Sequence, residues 1–356
     1  MKDNLAYKTD LENGTDNFCR LGAQVTPPTN IIYNEECEET MKRLPDKSIQ
    51  LIIADPPYYK IKGEFDWKGK TFEEYLNWME SLAVEFKRIL ADNGSLFVYS
   101  HAKRVAYLQV RYDKYFTLEN NIVWKTDDPF GTVYSKELRS FAPLTERVLF
   151  YSKDYDATGN EIIFEKFLKP QNPFSKYLLE EFERAAVSRL EIAKLFPSRT
   201  GGLTGCVSNW LNGDNVITEE QYLKIREYLG EGYLTKQYEE LKQQYEELKQ
   251  QYEELRRPFN NILNLSDVWE FNRESAASKA IQHDTVKPLR LSKAIVTTCS
   301  KENDLIYIPF VGSGTECVAV NELNRKFIGS EVNKKYCEIA EARIKGSRIN
   351  YDLFYD

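Results

Sequence analysis

The sequence predicts a doubly wound, Rossmann-like α/β fold interrupted by a mainly helical insert. Three observations predict it. Short apolar runs alternate with amphipathic stretches from Ile31 to Ser100, and the same alternation returns from Val286 to Lys345. Between these blocks the pattern changes to helix-sized pieces broken by glycine-rich turns and a heptad repeat. Strands that alternate with helices form parallel sheets covered on both faces, so the two blocks are expected to build one domain from both ends of the chain.

In the first block, IIYN (31–34) reads as a strand, ECEETMKRLPDKS (36–48) as a helix and IQLIIA (49–54) as a buried strand. FEEYLNWMESLAVEFKRIL (72–90) has helical apolar spacing, and SLFVYS (95–100), NIVWK (121–125) and RVLFYSK (147–153) read as strands. The second block gives a helix through LRLSKAIVTTC (289–299), the strand DLIYIPF (304–310) and a helix after GSGT. The strand KFIGSEV (326–332) and the helix KKYCEIAEARI (334–344) complete it. This divides the chain into 1–153, an insert at 154–278, and 279–356.

The insert opens with a helical stretch, KYLLEEFERAAVSRLEIAKLF (176–196). Its EIAKLF and TGCVSNWLNG segments are arranged like a helix-turn-helix, the second as candidate recognition helix, with Arg189, Arg199, Ser208, Asn209 and Asn212 as candidate DNA contacts. Any small helical insert has this look, which is the plainer alternative. Residues 237–257 repeat QYEELKQ three times, placing Tyr238, Leu241, Tyr245, Leu248, Tyr252 and Leu255 on one stripe. Such a helix lays its stripe on the body of the protein or pairs with a second copy as a homodimer.

With 356 residues and 42% apolar content the chain has material for a real core. No run approaches the roughly 18 apolar residues of a membrane span, and the N-terminus is polar, so a cytoplasmic protein is expected. Six scattered cysteines and two histidines lack metal-ligand spacing, which predicts reduced thiols and no metal site. The net charge of −7 does not advertise nucleic-acid binding, although a whole-chain sum conceals a local basic cleft.

Chemistry concentrates at two places. Asp55-Pro56-Pro57-Tyr58 directly follows the strand IQLIIA, at the strand end where open α/β sheets bind ligands. An exocyclic amino group is a poor nucleophile because its lone pair is delocalised into the ring. The Asp55 carboxylate and Pro56 carbonyl offer two acceptors for its N–H bonds, and Tyr58 offers a ring to stack on a base taken out of the duplex. A simple turn after a strand is the bland reading of this tetrapeptide. The second place is Pro309-Phe310-Val311-Gly312-Ser313-Gly314-Thr315, a glycine-rich turn between a strand and a helix, followed by Glu331 at the end of the next strand. That conjunction fits a nucleoside-containing ligand, with Glu331 accepting from ribose hydroxyls; no Walker lysine and no full GxGxxG are present.

DPPY followed by FxGxG, with a variable region between, resembles the beta class of DNA amino-methyltransferases. The likeness extends to IIYNEECEETMKRLPDKSIQLIIADPPYY, HDTVKPLRLSKAIV and KFIGSEVNKKYCEIAEARI, and so covers nearly the whole chain. DPPYYKIKGEFDW, SFAPLTERVLFY and the heptads ending in RRPFN are similar to a subgroup of bacterial and phage adenine methyltransferases. The resemblance implies S-adenosylmethionine as cofactor and double-stranded DNA as partner. It implies Asp55, Pro56, Pro57 and Tyr58 at the target amino group, and Phe310, Gly312, Ser313, Gly314 and Thr315 around the cofactor. Glu331 is implied at its ribose, Glu36 and Cys37 beside its adenine, and Thr285 and Lys287 near its carboxylate. A restriction endonuclease is an implied partner. Two positions depart from the family pattern: Glu36 and Ile308 stand where Asp is frequent, and Ile308 removes an acceptor.

DPPY accompanies adenine N6 methylation, and SPPY cytosine N4, so adenine is the expected base and cytosine the alternative. Methylation of RNA or protein glutamine, and a DNA-binding regulator on an inactive scaffold, are rival readings. The motif order opposes the first and the intact DPPY the second.

Overall fold

A computed structural model of the protein describes residues 28–60, 67–127, 134, 136–137, 139–153, 168–272 and 286–347. Eight strands form one mixed sheet among them: β1 (Ile31–Tyr33), β2 (Ile49–Ala54), β3 (Leu90–His101), β4 (Thr117–Lys125), β5 (Thr145–Ser152), β6 (Val268–Glu270), β7 (Leu305–Ile308) and β8 (Lys326–Ser330). The spatial order is β1-β8-β7-β2-β3-β5-β4-β6. Pairing is parallel except on both sides of β5.

β2 owes its run of apolar residues to burial on both faces. Ile52 and Ala54 enter one core, Leu51 and Ile53 the other, as the alternation of a strand requires. The first core is closed by α1 (Cys37–Arg43), α2 (Phe72–Ile89) and α3 (Val105–Tyr112), the last of which carries no strong sequence signal. The second is closed by α9 (Leu289–Cys299), α10 (Thr315–Glu322) and α11 (Lys334–Gly346). α2 shows how the sequence builds such a helix. Thr71 and Glu74 form a reciprocal capping box at its start. Tyr75, Leu76, Met79, Leu82, Ala83, Phe86 and Ile89 recur at helical spacing and are buried, the larger of them contributing about 2 kcal/mol each by removal from water.

The sheet's order matters for function. From the central pair β7 and β2 the chain runs outward in opposite directions, through β8 on one side and β3 on the other. The crevice above this switch point is the standard ligand position in open α/β sheets, and both candidate motifs emerge there.

The insert has its own apolar core, built from α4 (Pro173–Arg184), α5 (Arg189–Ala193), α6 (Cys206–Asn212), α7 (Glu219–Leu229) and α8 (Tyr238–Leu255). The helical stretch over 176–196 divides into two helices. Ala186 takes a positive φ of 53°, and the Ser188–Glu191 capping box starts α5 afresh. The helix-turn-helix expectation also needs correction. Such a motif joins its helices by a three- to four-residue turn. Here residues 194–205 fold back on themselves, with Pro197 bridging Leu203, Gly201 at φ 83° and Ser198 Oγ accepting from Gly202 N at 3.0 Å.

The heptad stripe is covered in part within the chain, with Leu248 half-buried and Leu255 exposed. Tyr238 and Tyr245 pack against Phe174, Leu241 is fully buried, and Tyr252 is buried further along α8. Asn93 donates to the carbonyls of Glu254 and Arg256, docking the helix end on the scaffold. The chain then returns to the sheet as β6, within the span 154–278 that sequence reading gave to the insert, and pairs with β4. The described cysteines are unbridged, and no grouping of metal-ligand type occurs among the described residues. No described helix is long and apolar enough to cross a membrane.

Candidate active site

A cleft of about 960 Å³ opens above β7 and β2 and is lined by both motifs. On one side, Asp55, Pro56, Pro57 and Tyr58 leave the C-terminal end of β2. The Asp55 carboxylate is held from two directions: Lys287 Nζ lies 3.0 Å from Oδ2, and Tyr58 Oη donates to Oδ1 at 3.2 Å. Glu146, at the start of β5, ties the arrangement together. Its Oε2 accepts from Tyr58 Oη at 3.2 Å and from Lys287 Nζ at 3.3 Å.

Lys287 is 5% exposed. Burial alone would depress its pKa, but Asp55 and Glu146 outweigh that cost and hold it above the usual lysine range. It is therefore charged throughout the physiological range, a buried cation serving two carboxylates. Sequence reading placed Lys287 near the cofactor's carboxylate; the structure places it against Asp55. Tyr58 is also buried, and burial followed by the charges of Asp55 and Glu146 raises its phenol well above the usual value, keeping it a donor.

On the other side the glycine-rich loop connects β7 to α10. Gly314 has φ 83°, and a Cβ there would stand 2.6 Å from Ala340 Cβ, so two independent constraints demand glycine. Arg343 of α11 braces the loop by donating to Ser313 O at 2.6 Å and to Thr315 Oγ1 at 3.0 Å. Glu331 closes the turn: Oε2 accepts from Gly312 N at 2.8 Å and Oε1 from Asn333 N at 2.9 Å. Burial raises its pKa, opposed by those backbone donors.

The floor near α1 comes from Glu36 and Cys37, both on the cleft wall. Tyr307 Oη donates to Cys37 O at 3.0 Å and lies 2.9 Å from Ser330 Oγ, tying α1 to β7 and β8. Ile308 is 1% exposed in the core of the second helix layer and presents no acceptor. Thr285 lies outside the described residues.

Several contributors escaped sequence reading. Trp78 donates through Nε1 to Glu38 Oε1 at 2.6 Å and stacks with Trp67 at 6.2 Å between centroids. Phe310 meets Trp78 edge-on at 5.9 Å, so three rings wall the cleft. Tryptophans in amphipathic stretches look like core residues, and only their convergence on Phe310 reveals another use. Glu146 sits in the segment SFAPLTERVLFY, where an acid at the start of an apolar strand was the available signal. Glu316, directly after the glycine-rich turn, is 5% exposed and lines the cleft. Burial and the neighbouring Asp55 push its pKa up to about 7, and Ser292 Oγ donates to it at 3.2 Å.

Of the candidate DNA contacts, Arg189, Arg199, Asn209 and Asn212 are exposed on the insert, and Ser208 is half-buried on α6. They are not part of the cleft.

A family model described as DNA methylase, covering N6 and N4 enzymes, matches residues 49–342, which include both motifs and the insert. The chain belongs to the N6/N4 DNA methylase family. Among relatives of this DNA methylase, the DNA adenine methyltransferase YhdJ of Escherichia coli (strain K12) is 24% identical over 320 residues, covering 88% of this chain and 82% of that protein. The Type II methyltransferase M1.MboII of Moraxella bovis is 22% identical over 336 residues, or 90% of this chain and 98% of that one. The solved PvuII DNA methyltransferase, described as cytosine-N4-specific, shares the fold with a TM-score of 0.51 at 14% identity, over 88% of this chain and 85% of its own.

Proposed function

We propose that this DNA methylase transfers a methyl group from S-adenosylmethionine to the N6 amino group of adenine in double-stranded DNA, acting on a base flipped into the cleft. The observation that carries the reading is Asp55, held by Lys287 and Tyr58 at the switch point of the sheet and facing a glycine-rich loop across one cleft.

The residues fit the cofactor. The Trp67, Trp78 and Phe310 rings suit an adenine with Glu36 beside it, Glu331 suits ribose hydroxyls, and Gly312 and Ser313 bring the loop backbone to the cleft wall. A volume near 960 Å³ lies within the range of roughly 300–1,000 Å³ typical of ligand pockets. When bound, the cofactor supplies an electrophilic methyl on a sulfonium. Asp55 and the Pro56 carbonyl accept the two N–H bonds of the target amino group and direct its lone pair, while the Lys287–Glu146 pair prevents Asp55 from turning away. Tyr58 keeps the base-stacking role only on the part of its ring that faces the cleft. No cysteine nucleophile is required, and burial raises Cys37 far above the usual thiol range.

The insert, through Arg189, Arg199, Ser208, Asn209 and Asn212, reads the DNA sequence in this account. Relatives named Type II methyltransferases support pairing with a restriction endonuclease of the same specificity. Incubation of the purified chain with S-adenosylmethionine and mixed-sequence duplex DNA, followed by nucleoside mass spectrometry, tests the base. N6-methyladenine is the expected product; N4-methylcytosine would retain the site and overturn the base, and methylation of RNA alone would overturn the substrate.

A further inference from the structure

The register Ala54↔Val98 sets β2 and β3 so that the Asp55 loop and residues 101–104 leave the same edge of the sheet. Two residues beyond the catalytic tetrapeptide, Lys60 places Nζ 5.1 Å from the centroid of the Tyr59 ring. Arg104, at the start of α3, approaches the same ring at 5.8 Å and that of Phe72 at 4.7 Å. Tyr59 Oη also bonds the carbonyl of Lys70 at 3.3 Å, and Lys103 is exposed beside Arg104.

Lys60, Lys70, Lys103 and Arg104 enter no ion pair among the described residues, and Arg104 Nε is buried with no hydrogen-bond partner. The adjacent acids are committed elsewhere: Glu73 pairs with Arg111, and Glu74 belongs to the α2 capping box. In a chain of net charge −7, two cations meet one ring with no acid paired to them among the described residues, an arrangement that attracts an anion.

We propose that Lys60 and Arg104, gathered around Tyr59, together with the exposed Lys103 next to Arg104, form a phosphate-binding patch that grips the backbone of duplex DNA next to the flipped base. The inference rests on the DNA-methylation reading and extends it. Backbone contacts on this patch fix the register of the duplex over the cleft, whereas base reading belongs to the insert. Each phosphate neutralised releases counterions, so the patch contributes directly to the salt dependence of DNA binding.

The test is fluorescence anisotropy of the full chain on a labelled mixed-sequence duplex, with S-adenosylhomocysteine present, across a range of salt concentrations. Lys60→Gln/Lys103→Gln removes two exposed charges and is expected to make the slope of log K against log salt shallower by about two. Arg104→Gln is expected to remove about one more, and Arg104→Lys to restore most of that loss. Affinity for S-adenosylhomocysteine serves as the folding control and stays within about twofold. An unchanged slope in the double-lysine variant overturns the patch while leaving the methyltransferase reading intact. A wild-type chain that methylates no DNA and shows no salt-dependent DNA binding overturns both.

Discussion

The two halves of the sheet's C-terminal edge differ in sign of charge. Over β1, β8 and β7 the cleft is lined with Glu35, Glu36, Glu38, Glu316 and Glu331, whereas over the start of α3 stand Lys60, Lys103 and Arg104, which enter no ion pair among the described residues. A sulfonium cofactor is cationic and DNA is anionic, so one edge serves both by separating them, with Asp55 and Lys287 at the boundary. The difference teaches why a net charge of −7 is compatible with a DNA substrate. The acidity belongs partly to the cofactor's half.

The largest expected effect lies at the boundary. Asp55→Ala removes an acceptor of the target amino group and is expected to lower the methylation rate by about 10²–10³-fold, as for loss of a preorganised polar group in a closed site. Equilibrium dialysis should show cofactor affinity changed by no more than a few fold; loss of both together would contradict the division. On the cofactor's half, Gly314→Ala places a Cβ 2.6 Å from Ala340 Cβ at φ 83°. Thermal unfolding should report a loss of about 1–3 kcal/mol, accompanied by weakened S-adenosylhomocysteine binding, and an unperturbed variant would show that the loop is not tightly seated.

A smaller effect comes from Glu316, whose pKa is pushed by burial up to about 7, well above the usual carboxylate value of 4.5. The folded state without cofactor binds more protons than the unfolded state between these values, so this group's contribution to stability is lost as pH rises from about 4.5 to about 7. A cationic ligand prefers the ionised form, with Asp55 and Lys287 as the other charges facing it. Affinity for S-adenosylmethionine is therefore expected to rise between pH 6 and 8, by up to about tenfold, and isothermal titration of Glu316→Gln should show that rise flattened. The smallest effect on the edge is expected from the insert. Leu241→Ala should cost about 2–5 kcal/mol of insert stability by proteolysis or hydrogen exchange, yet leave cofactor affinity unchanged, since the insert has a separate core.

Much of this arrangement was legible in local patterns. β2 and the loop before α10 combine apolar runs with Pro or Gly at positions of special backbone geometry, α2 has strong helical apolar spacing, and each appears where expected. α3 was not legible, because its eight residues carry weak amphipathic contrast. The break at Ala186 and the hairpin before α6 depend on turns that helical spacing does not reveal. β6 has only three residues and gains its identity from pairing with β4. Within the site, Asp55 and Gly314 announce themselves, but the use of Lys287 does not: its partner Glu146 is 141 residues away, and only the fold brings them to 3.3 Å.

The most direct test of the central claim is modification-sensitive long-read sequencing of DNA from cells producing the wild-type chain or Asp55→Ala. The account predicts N6-methyladenine confined to one short recognition sequence in the wild type and absent from the variant. No modified base in either, or modification that survives loss of Asp55, would contradict it.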